Sequence, residues 1–397
     1  MNSPIKRFSI KHKNVMVLFA IIAFTSIGPI FNNLPIKLIF LLGLLFVSII
    51  NYRLIKFSWK HILLYFLLFI FVITSSISSY VNETFVPLVY TFTFVIAFFS
   101  AVQLSKKEIL RLVDLLTIIF KYTIILAWIG YVYSLFAPPW FSLNNPNGVQ
   151  NFFYLSTFSI TDSPIRASGF YDEPGAFSFF ICLLVFFRTY LGYDLKTSLF
   201  LMIGGFVTQS LAHAVFFVVW LFSVLFTRES KVNLSFFNRI IITLLIVFTG
   251  FLAVQSNIFS WAIERTTTWF DNPDSAVRVR NFNNCYEKIE ESNHNLIYGF
   301  GNDFANRDTS EGYSENLLTP IAIGGLMVSW PFYLFLFFCL LYPLLSFSNY
   351  SLIGIGLLIL QRPYFLELPY SYCLAIIIVM FLEINNKAID KRKIGVN

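Results

Sequence analysis

Long apolar stretches separated by short polar segments make up most of this chain. A helix that spans a bilayer needs about 20 mostly apolar residues, and about twelve runs approach that length. The pattern predicts an all-α polytopic membrane protein of about 12 transmembrane helices, in which residues 1–397 form a single integral membrane domain. The runs are Val15–Phe31, Pro35–Ile50, Ile62–Ser79, Val86–Leu104, Ile109–Ala137, Pro174–Thr189, Thr197–Gln209, Leu211–Thr227, Phe237–Val254, Asn316–Leu345, Leu352–Gln361 and Pro369–Ile384.

Composition supports the same class of protein. The 397 residues are 57% hydrophobic and only 12% charged, whereas a soluble domain carries roughly 25% charged residues. This balance argues against a soluble enzyme, a secreted disulfide scaffold, a disordered chain and a nucleic-acid-binding protein. The four cysteines form no CxxC pair, and the histidines are not spaced as ligands, so we expect no metal site and no cofactor.

The basic residues predict the orientation of the helices. Most of the 28 Lys and Arg residues fall in the segments on the side that carries both termini. Cytoplasmic loops are enriched in Lys and Arg, so we expect both termini in the cytoplasm. The two longest loops, residues 138–173 and 255–313, then face outward, toward the periplasm or the cell exterior. Loops of this length are usually functional or disordered, and these are rich in aromatic and charged residues.

The first long loop ends in Arg166-Ala-Ser-Gly-Phe-Tyr-Asp-Glu-Pro174-Gly175 and leads directly into an apolar run. Proline is favoured at the first position of a helix, and an acidic residue just before it caps the helix and complements its dipole. One interpretation is therefore a capped helix start with Arg166 as a surface charge. The other places Arg166 on a phosphate and Glu173 beside a reacting hydroxyl.

The second long loop carries Arg278-Val-Arg280 and, further on, Tyr298-Gly-Phe-Gly301. In a strand the two arginines would point the same way, whereas in a helix they would diverge by about 200°. Arginine suits phosphate because its planar group forms paired hydrogen bonds, although two solvated loop arginines are the simpler interpretation. The two glycines predict a tight turn.

Polar residues also occur close to the apolar runs. Thr208-Gln-Ser210 interrupts two of them, with His213 one turn later. It either divides two short helices or breaks one long helix. Polar groups at membrane depth either have a function or form hydrogen bonds between helices, and both interpretations fit this segment. Near the end of the chain, Arg362 and Glu367 are close enough in sequence to form a salt bridge.

Together these features resemble the O-antigen polymerase (Wzy) family, within the O-antigen ligase and polymerase superfamily. The resemblance rests on two large outward loops, the Arg166…Glu-Pro-Gly175 element, the Thr-Gln-Ser break, the Tyr-Gly-x-Gly turn, and Ser314-Glu-Asn-Leu-Leu318 before Gly324-Gly325. It implies a fold like that of GT-C membrane glycosyltransferases and a place in the inner membrane of a bacterium. It also implies a metal-independent, inverting enzyme that polymerises oligosaccharide repeat units carried on undecaprenyl diphosphate at the periplasmic face.

In such an enzyme, fixed cations stabilise the diphosphate leaving group and a carboxylate near the acceptor hydroxyl acts as general base. The catalytic candidates are Glu173, Arg166, Arg278 and Arg280, with an Arg166–Glu173 ion pair that only shapes the site as the alternative. Aromatic residues would stack on sugar rings. The substrate-binding candidates are Asp172, Tyr171, Ser210, His213, Arg265, Arg307, Tyr313, Glu315 and Asn316.

Two other functions remain open. The ligase branch carries a loop histidine that is absent from Ser314-Glu-Asn316, which favours a polymerase over an O-antigen ligase. A flippase or other transporter of lipid-linked oligosaccharides would place charges within the spans, whereas here most charges lie in the loops. The expected partners are a chain-length regulator and a repeat-unit flippase in the membrane, and no nucleic acid.

Overall fold

The computed structural model describes residues 4–25, 34–51, 58–144, 150–159, 165–226, 277–305, 312–313, 316–346, 349–364 and 367–393. Within these ranges the chain is mostly helical. The apolar runs predicted from the sequence coincide with helices, except Phe237–Val254, which lies outside the described residues. The helices are α1 (Pro4–Thr25), α2 (Leu34–Ile50), α3 (Trp59–Val81), α4 (Val86–Val102), α5 (Lys106–Ser134), α6 (Pro174–Tyr190), α7 (Leu195–Gly204), α8 (Leu211–Phe226), α9 (Val277–Glu290), α10 (Asn293–Tyr298), α11 (Asn302–Ala305), α12 (Thr319–Ser346), α13 (Ser351–Gln361) and α14 (Leu368–Lys393).

Three of these helices are long and apolar enough to cross a membrane: α3, α5 and the Thr319–Leu345 part of α12. Shorter apolar helices of 10–17 residues accompany them, among them α4, α6 and α8. Large apolar side chains are exposed on the outer surface, including Phe46, Phe66 and Phe337. A soluble protein rarely exposes so much apolar surface, so a membrane-embedded protein is the class that this structure fits.

Helix α6 lies at the centre of the molecule. Every residue from Ala176 to Arg188 is buried, and the helix packs against α5, α7, α8 and α13. A helix that is apolar on all sides belongs in the interior of a bundle. Because its first residue follows Glu173 directly, α6 fixes the Glu-Pro-Gly element against the core.

The first long loop is not an irregular segment. It forms an antiparallel four-stranded sheet, in the order β1 (Phe141–Asn144), β2 (Gln150–Phe153), β3 (Thr157–Ser159) and β4 (Arg166–Gly169). The all-α prediction is therefore confirmed for the apolar runs within the described residues and wrong for this loop, while the number of about 12 transmembrane helices stays a prediction. Apolar alternation over three or four residues is too short to indicate a strand by itself. One face of the sheet packs on α5, where Gly130 leaves room for Phe158 and the backbone of Tyr154.

Two breaks interrupt the apolar helices. After α7 the backbone tightens into a 3₁₀ turn (Gly205–Thr208), and Gln209 takes a left-handed conformation with φ 47° before α8 begins. The structure thus favours two short helices meeting at Thr208-Gln-Ser210. The second break lies inside α12, where Gly325 has φ 64°. Irregular backbone at membrane depth is tolerated where protein buries it or where it lines a cavity.

The Tyr298-Gly-Phe-Gly301 turn packs against this second break. The backbone N–H of Phe300 donates to the carbonyl of Ala322 over 3.0 Å, which compensates for a lost helical hydrogen bond. A Cβ on Gly299 would lie 2.7 Å from the Gly324 backbone. The glycines of the turn and of α12 therefore allow two backbones to touch, which places α10 against α12, and α9 packs on α10.

Candidate functional site

Glu173 stands at the start of α6 with extended backbone angles (φ −141°, ψ 151°), and Pro174 occupies the first helical turn. The Glu173 carboxylate forms an ion pair with Nη2 of Arg362, which follows the last residue of α13. The Arg362 side chain is 5% exposed and the Glu173 side chain 44%. Any Cβ on Gly175 would overlap Nη2 of Arg362. In the Glu-Pro-Gly element the acid therefore binds Arg362, the proline starts the helix, and the glycine makes room for the guanidinium.

Two further arginines act on the same carboxylate. Burial alone would raise the pKa of Glu173, but the neighbouring guanidinium groups of Arg362, Arg278 and Arg166 outweigh it and hold this pKa below its usual value of 4.5. The three arginines come from distant parts of the chain: β4, α9 and the end of α13. The tertiary structure thus brings three guanidinium groups within electrostatic range of one carboxylate at the N-terminus of α6, with Arg362 in direct contact.

The second long loop places only one of its two arginines toward this cluster. Residues Val277–Glu290 form helix α9, so Arg278 and Arg280 diverge as the helical alternative predicts. Nη1 of Arg278 donates to the carbonyl of Gln361 over 3.3 Å, next to Arg362. Arg280 is exposed. The catalytic role predicted for Arg280 is untested, but its side chain projects from α9 in a different direction from that of Arg278, so the geometry favours Arg278 as the member of the cluster.

Arg362 is the member of the cluster that the sequence analysis did not identify. Its ion pair is with Glu173, so the structure corrects the expected bridge to Glu367. The Nη1 of Arg362 also reaches the hydroxyl of Tyr370 over 3.3 Å. One signal was available in the sequence, because an arginine between two apolar runs usually marks a functional or structural ion pair.

Arg166 connects the sheet to the helix break. As the first residue of β4 it is half-buried, and its Nε donates to the carbonyl of Thr208 over 3.1 Å. That carbonyl lacks a helical partner because the 3₁₀ turn ends there, and helix C-termini favour cations. The polar break predicted at Thr208-Gln-Ser210 thus holds one of the three arginines of the cluster.

Several predicted binding residues have structural roles instead. Tyr171 is completely buried; its ring stacks on Phe180 with centroids 4.9 Å apart, and its hydroxyl donates to the carbonyl of Phe24 over 3.0 Å. It therefore has no face for a sugar ring, which corrects the stacking role expected of it. Tyr313 is half-buried against Phe300, with ring centroids 5.0 Å apart.

Asn316 links α9 to the start of α12. Its Nδ2 donates to the carbonyls of Asn281 and Tyr313, each over 3.1 Å, and its Oδ1 accepts from the backbone N–H of Leu318 over 2.8 Å. The side chain is 6% exposed. In the described structure Asn316 therefore positions the helix that carries Arg278, rather than presenting its amide to a substrate.

His213 is also held by protein groups. Its Nε2 lies 2.7 Å from the carbonyl of Met202, and its Nδ1 lies 3.1 Å from Oγ of Ser178. The ring rests on Gly205, where a Cβ would overlap it. These contacts favour the helix-packing interpretation of His213. Ser210 is half-buried, and its carbonyl accepts from the backbone N–H of His213 over 3.0 Å at the start of α8.

Four of the predicted substrate-binding residues remain to be located. Asp172 is half-buried beside Glu173. Arg265, Arg307 and Glu315 lie outside the described residues. Among the described residues, no three His, Cys, Asp or Glu side chains come together as metal ligands would.

Comparisons with known proteins give no relative for this chain: no family model, no curated protein and no solved structure matches it. The family resemblance therefore rests on the quoted motifs alone.

Proposed function

We propose that this protein is a polysaccharide polymerase that joins oligosaccharide repeat units carried on undecaprenyl diphosphate into O-antigen or a related surface polymer. The observation that carries this proposal is the cluster of Arg166, Arg278 and Arg362 near Glu173, at the N-terminus of helix α6 in a largely apolar helix bundle. A lipid diphosphate fits both parts of this arrangement: its anionic head would bind the arginines, and its long apolar tail would lie against the apolar helices.

The charges of the cluster suit a diphosphate leaving group. The three arginines supply fixed positive charges of the kind that a diphosphate would contact. In the proposed reaction the acceptor hydroxyl attacks the anomeric carbon and loses its proton, while the bond from that carbon to the diphosphate oxygen breaks. Negative charge grows on the departing oxygen, and guanidinium groups held in place stabilise it. Attack opposite the leaving group inverts the anomeric centre.

The geometry changes the role that fits Glu173 best. A general base works best when its pKa lies near the working pH, whereas the pKa of Glu173 is held below 4.5 by the surrounding arginines. Its ion pair with Arg362 fits a positioning role, in which the carboxylate orients that guanidinium toward the diphosphate. Asp172 and Glu315 then remain the candidate bases.

The proposed setting is the bacterial inner membrane, with both termini in the cytoplasm and the arginine cluster facing the periplasm. The excess of Lys and Arg on the side of the termini supports this orientation. A chain-length regulator and a repeat-unit flippase are the proposed membrane partners.

The test uses purified protein in detergent, supplied with lipid-linked repeat units from a strain that lacks this protein. Polymer length is followed by gel electrophoresis. Arg278→Ala and Arg280→Ala form a matched pair, because each removes one arginine from α9 and only Arg278 acts on Glu173. We expect Arg278→Ala to lower the rate of polymerisation by about a hundredfold, as the loss of one preorganised charge does elsewhere. Arg280→Ala should change the rate much less.

Three outcomes would contradict the proposal in different ways. Equal losses in both variants would refute the assignment of the cluster. Transfer of finished chains to an added lipid A acceptor, without polymerisation, would indicate an O-antigen ligase. Movement of lipid-linked units across vesicle membranes without any new glycosidic bond would indicate a transporter.

A further inference from the structure

Three polar side chains next to the arginine cluster are fully buried and carry atoms without a hydrogen-bond partner. They are Asn151, Ser168 and Thr208, each 0% exposed. Both amide atoms of Asn151 and the hydroxyl oxygens of Ser168 and Thr208 lack a partner. A buried polar group without a partner costs about 1–3 kcal/mol, and such groups are uncommon in folded proteins. Several close to one site call for a physical explanation.

The strand register places two of these groups on the face that carries Arg166. Asn151 pairs with Ser159, and Ser159 pairs with Arg166. Residues directly opposite each other in an antiparallel sheet project to the same side, so Asn151 and Arg166 share one face. Ser168 follows Arg166 by two residues and projects to that face as well.

The third group belongs to the helix break, which packs against the same strand. The 3₁₀ turn contacts β4, and the carbonyl of Thr208 accepts from Nε of Arg166 over 3.1 Å. Thr208 therefore contacts Arg166 through its backbone, and its hydroxyl is the buried atom without a partner. Arg166 is half-buried and therefore partly accessible, unlike the three buried side chains. Its charge also lowers the pKa of Glu173, so Arg166 belongs both to this group and to the arginine cluster.

We propose that Asn151, Ser168 and Thr208 form a saccharide subsite beside the diphosphate-binding arginines. They would recognise the hydroxyl or amide groups of the sugar attached to the diphosphate. This inference rests on the proposed function. An amide offers a donor and an acceptor together, and each hydroxyl can do either, so the three side chains match the mixed donors and acceptors of a sugar edge.

Arg166 provides the route to these buried groups. When its guanidinium turns from the carbonyl of Thr208 to a phosphate oxygen, that carbonyl becomes an additional acceptor for the sugar. Phosphate binding and sugar recognition are then coupled through one side chain. In the free protein these buried polar atoms lower the stability because they lack hydrogen-bond partners. A bound sugar would supply those partners.

The test compares two ligands on the full-length protein in detergent: undecaprenyl diphosphate without sugar, and the undecaprenyl-diphosphate-linked repeat unit from a strain lacking this protein. Dissociation constants and melting temperatures are measured for the wild type, Asn151→Leu and Gln150→Leu. Gln150 is the matched control, because it is the neighbouring amide on β2 and is exposed, hydrogen-bonded to Ser142.

We expect Asn151→Leu to weaken binding of the lipid-linked repeat by about tenfold or more, the value of one hydrogen bond to a buried group. Binding of undecaprenyl diphosphate should not change, and the melting temperature without ligand should stay the same or rise. Gln150→Leu should alter none of these values. If Asn151→Leu does not fold, Thr208→Val applies the same test, since it removes the hydroxyl and keeps the shape.

Two results would overturn the inference, and they differ from failure of the proposed function. A variant that melts at a lower temperature but keeps the wild-type ratio of the two affinities would show that these groups are structural. An unchanged affinity for the repeat unit would also rule out the subsite. If the wild type binds neither ligand, the proposed function itself fails.

Discussion

The Glu173–Arg362 ion pair gives the most direct test of the site as a physical arrangement. Glu173→Gln keeps the shape of the side chain and an oxygen that accepts from Arg362, but it removes the negative charge. Arg362 is only 5% exposed, so its charge would remain in the interior without a counterion. The substitution therefore isolates the electrostatic part of the interaction.

The structure sets the size of the effect. Removing one partner of a fully buried ion pair costs about 3–5 kcal/mol. The Glu173 side chain is 44% exposed, and solvent screens the charge on that side, so we reduce the value by about half. We expect Glu173→Gln to lower the free energy of unfolding by about 2 kcal/mol. In an Arg362→Met background it should cost only about 0.5 kcal/mol, because the helix-dipole interaction and the screened attraction of Glu173 to Arg166 and Arg278 are then all that is lost.

The assay is a double-mutant cycle of Glu173→Gln and Arg362→Met, with reversible unfolding in mixed micelles followed by circular dichroism. The expected coupling energy is about 1.5 kcal/mol, the difference between the two costs of Glu173→Gln. If Glu173→Gln costs the same in both backgrounds, the two side chains do not interact and the reasoning is refuted. Polymerisation rates of the same variants test the role of Glu173. A positioning pair predicts that the double variant is no slower than the slower single variant, whereas a general base predicts a much larger loss for Glu173→Gln than for Arg362→Met.

The other predictions concern the neighbouring backbone and pH. Gly175→Ala should displace the Arg362 guanidinium and cost about 1–2 kcal/mol in detergent unfolding, with a parallel loss of polymerisation; normal activity would contradict this packing. Gly325→Ala should cost about 3 kcal/mol, because φ is 64° and the new Cβ would overlap the carbonyl of Ile297; an unchanged melting temperature would refute it. The pKa of Glu173 is lowered from 4.5, so its contribution to stability is complete above the pKa of the unfolded chain and is lost as pH falls through the lower folded value. The difference in stability between wild type and Glu173→Gln should therefore be constant above about pH 5 and shrink below about pH 4. A difference that grows toward acid pH would refute the lowered pKa.

The sequence by itself determined the class of the protein and most of its helices. Apolar runs near the length of a bilayer have few alternatives to a helix, since every backbone polar group must find a partner within the segment. Local signals also located the start of α6, where Pro174 follows an acidic residue, and the break at Thr208-Gln-Ser210. These features depend on residues close together in the chain.

Only the tertiary structure decided which of the charged residues belong together. The pairing of Glu173 with Arg362 joins residues far apart in the chain, and nothing local distinguishes it from a bridge between Arg362 and Glu367. The choice between Arg278 and Arg280 required knowing that α9 is a helix, and the stacking candidate Tyr171 proved to be core. A side chain's chemistry is set by its neighbours, and for these residues the packing of separate elements supplies the neighbours.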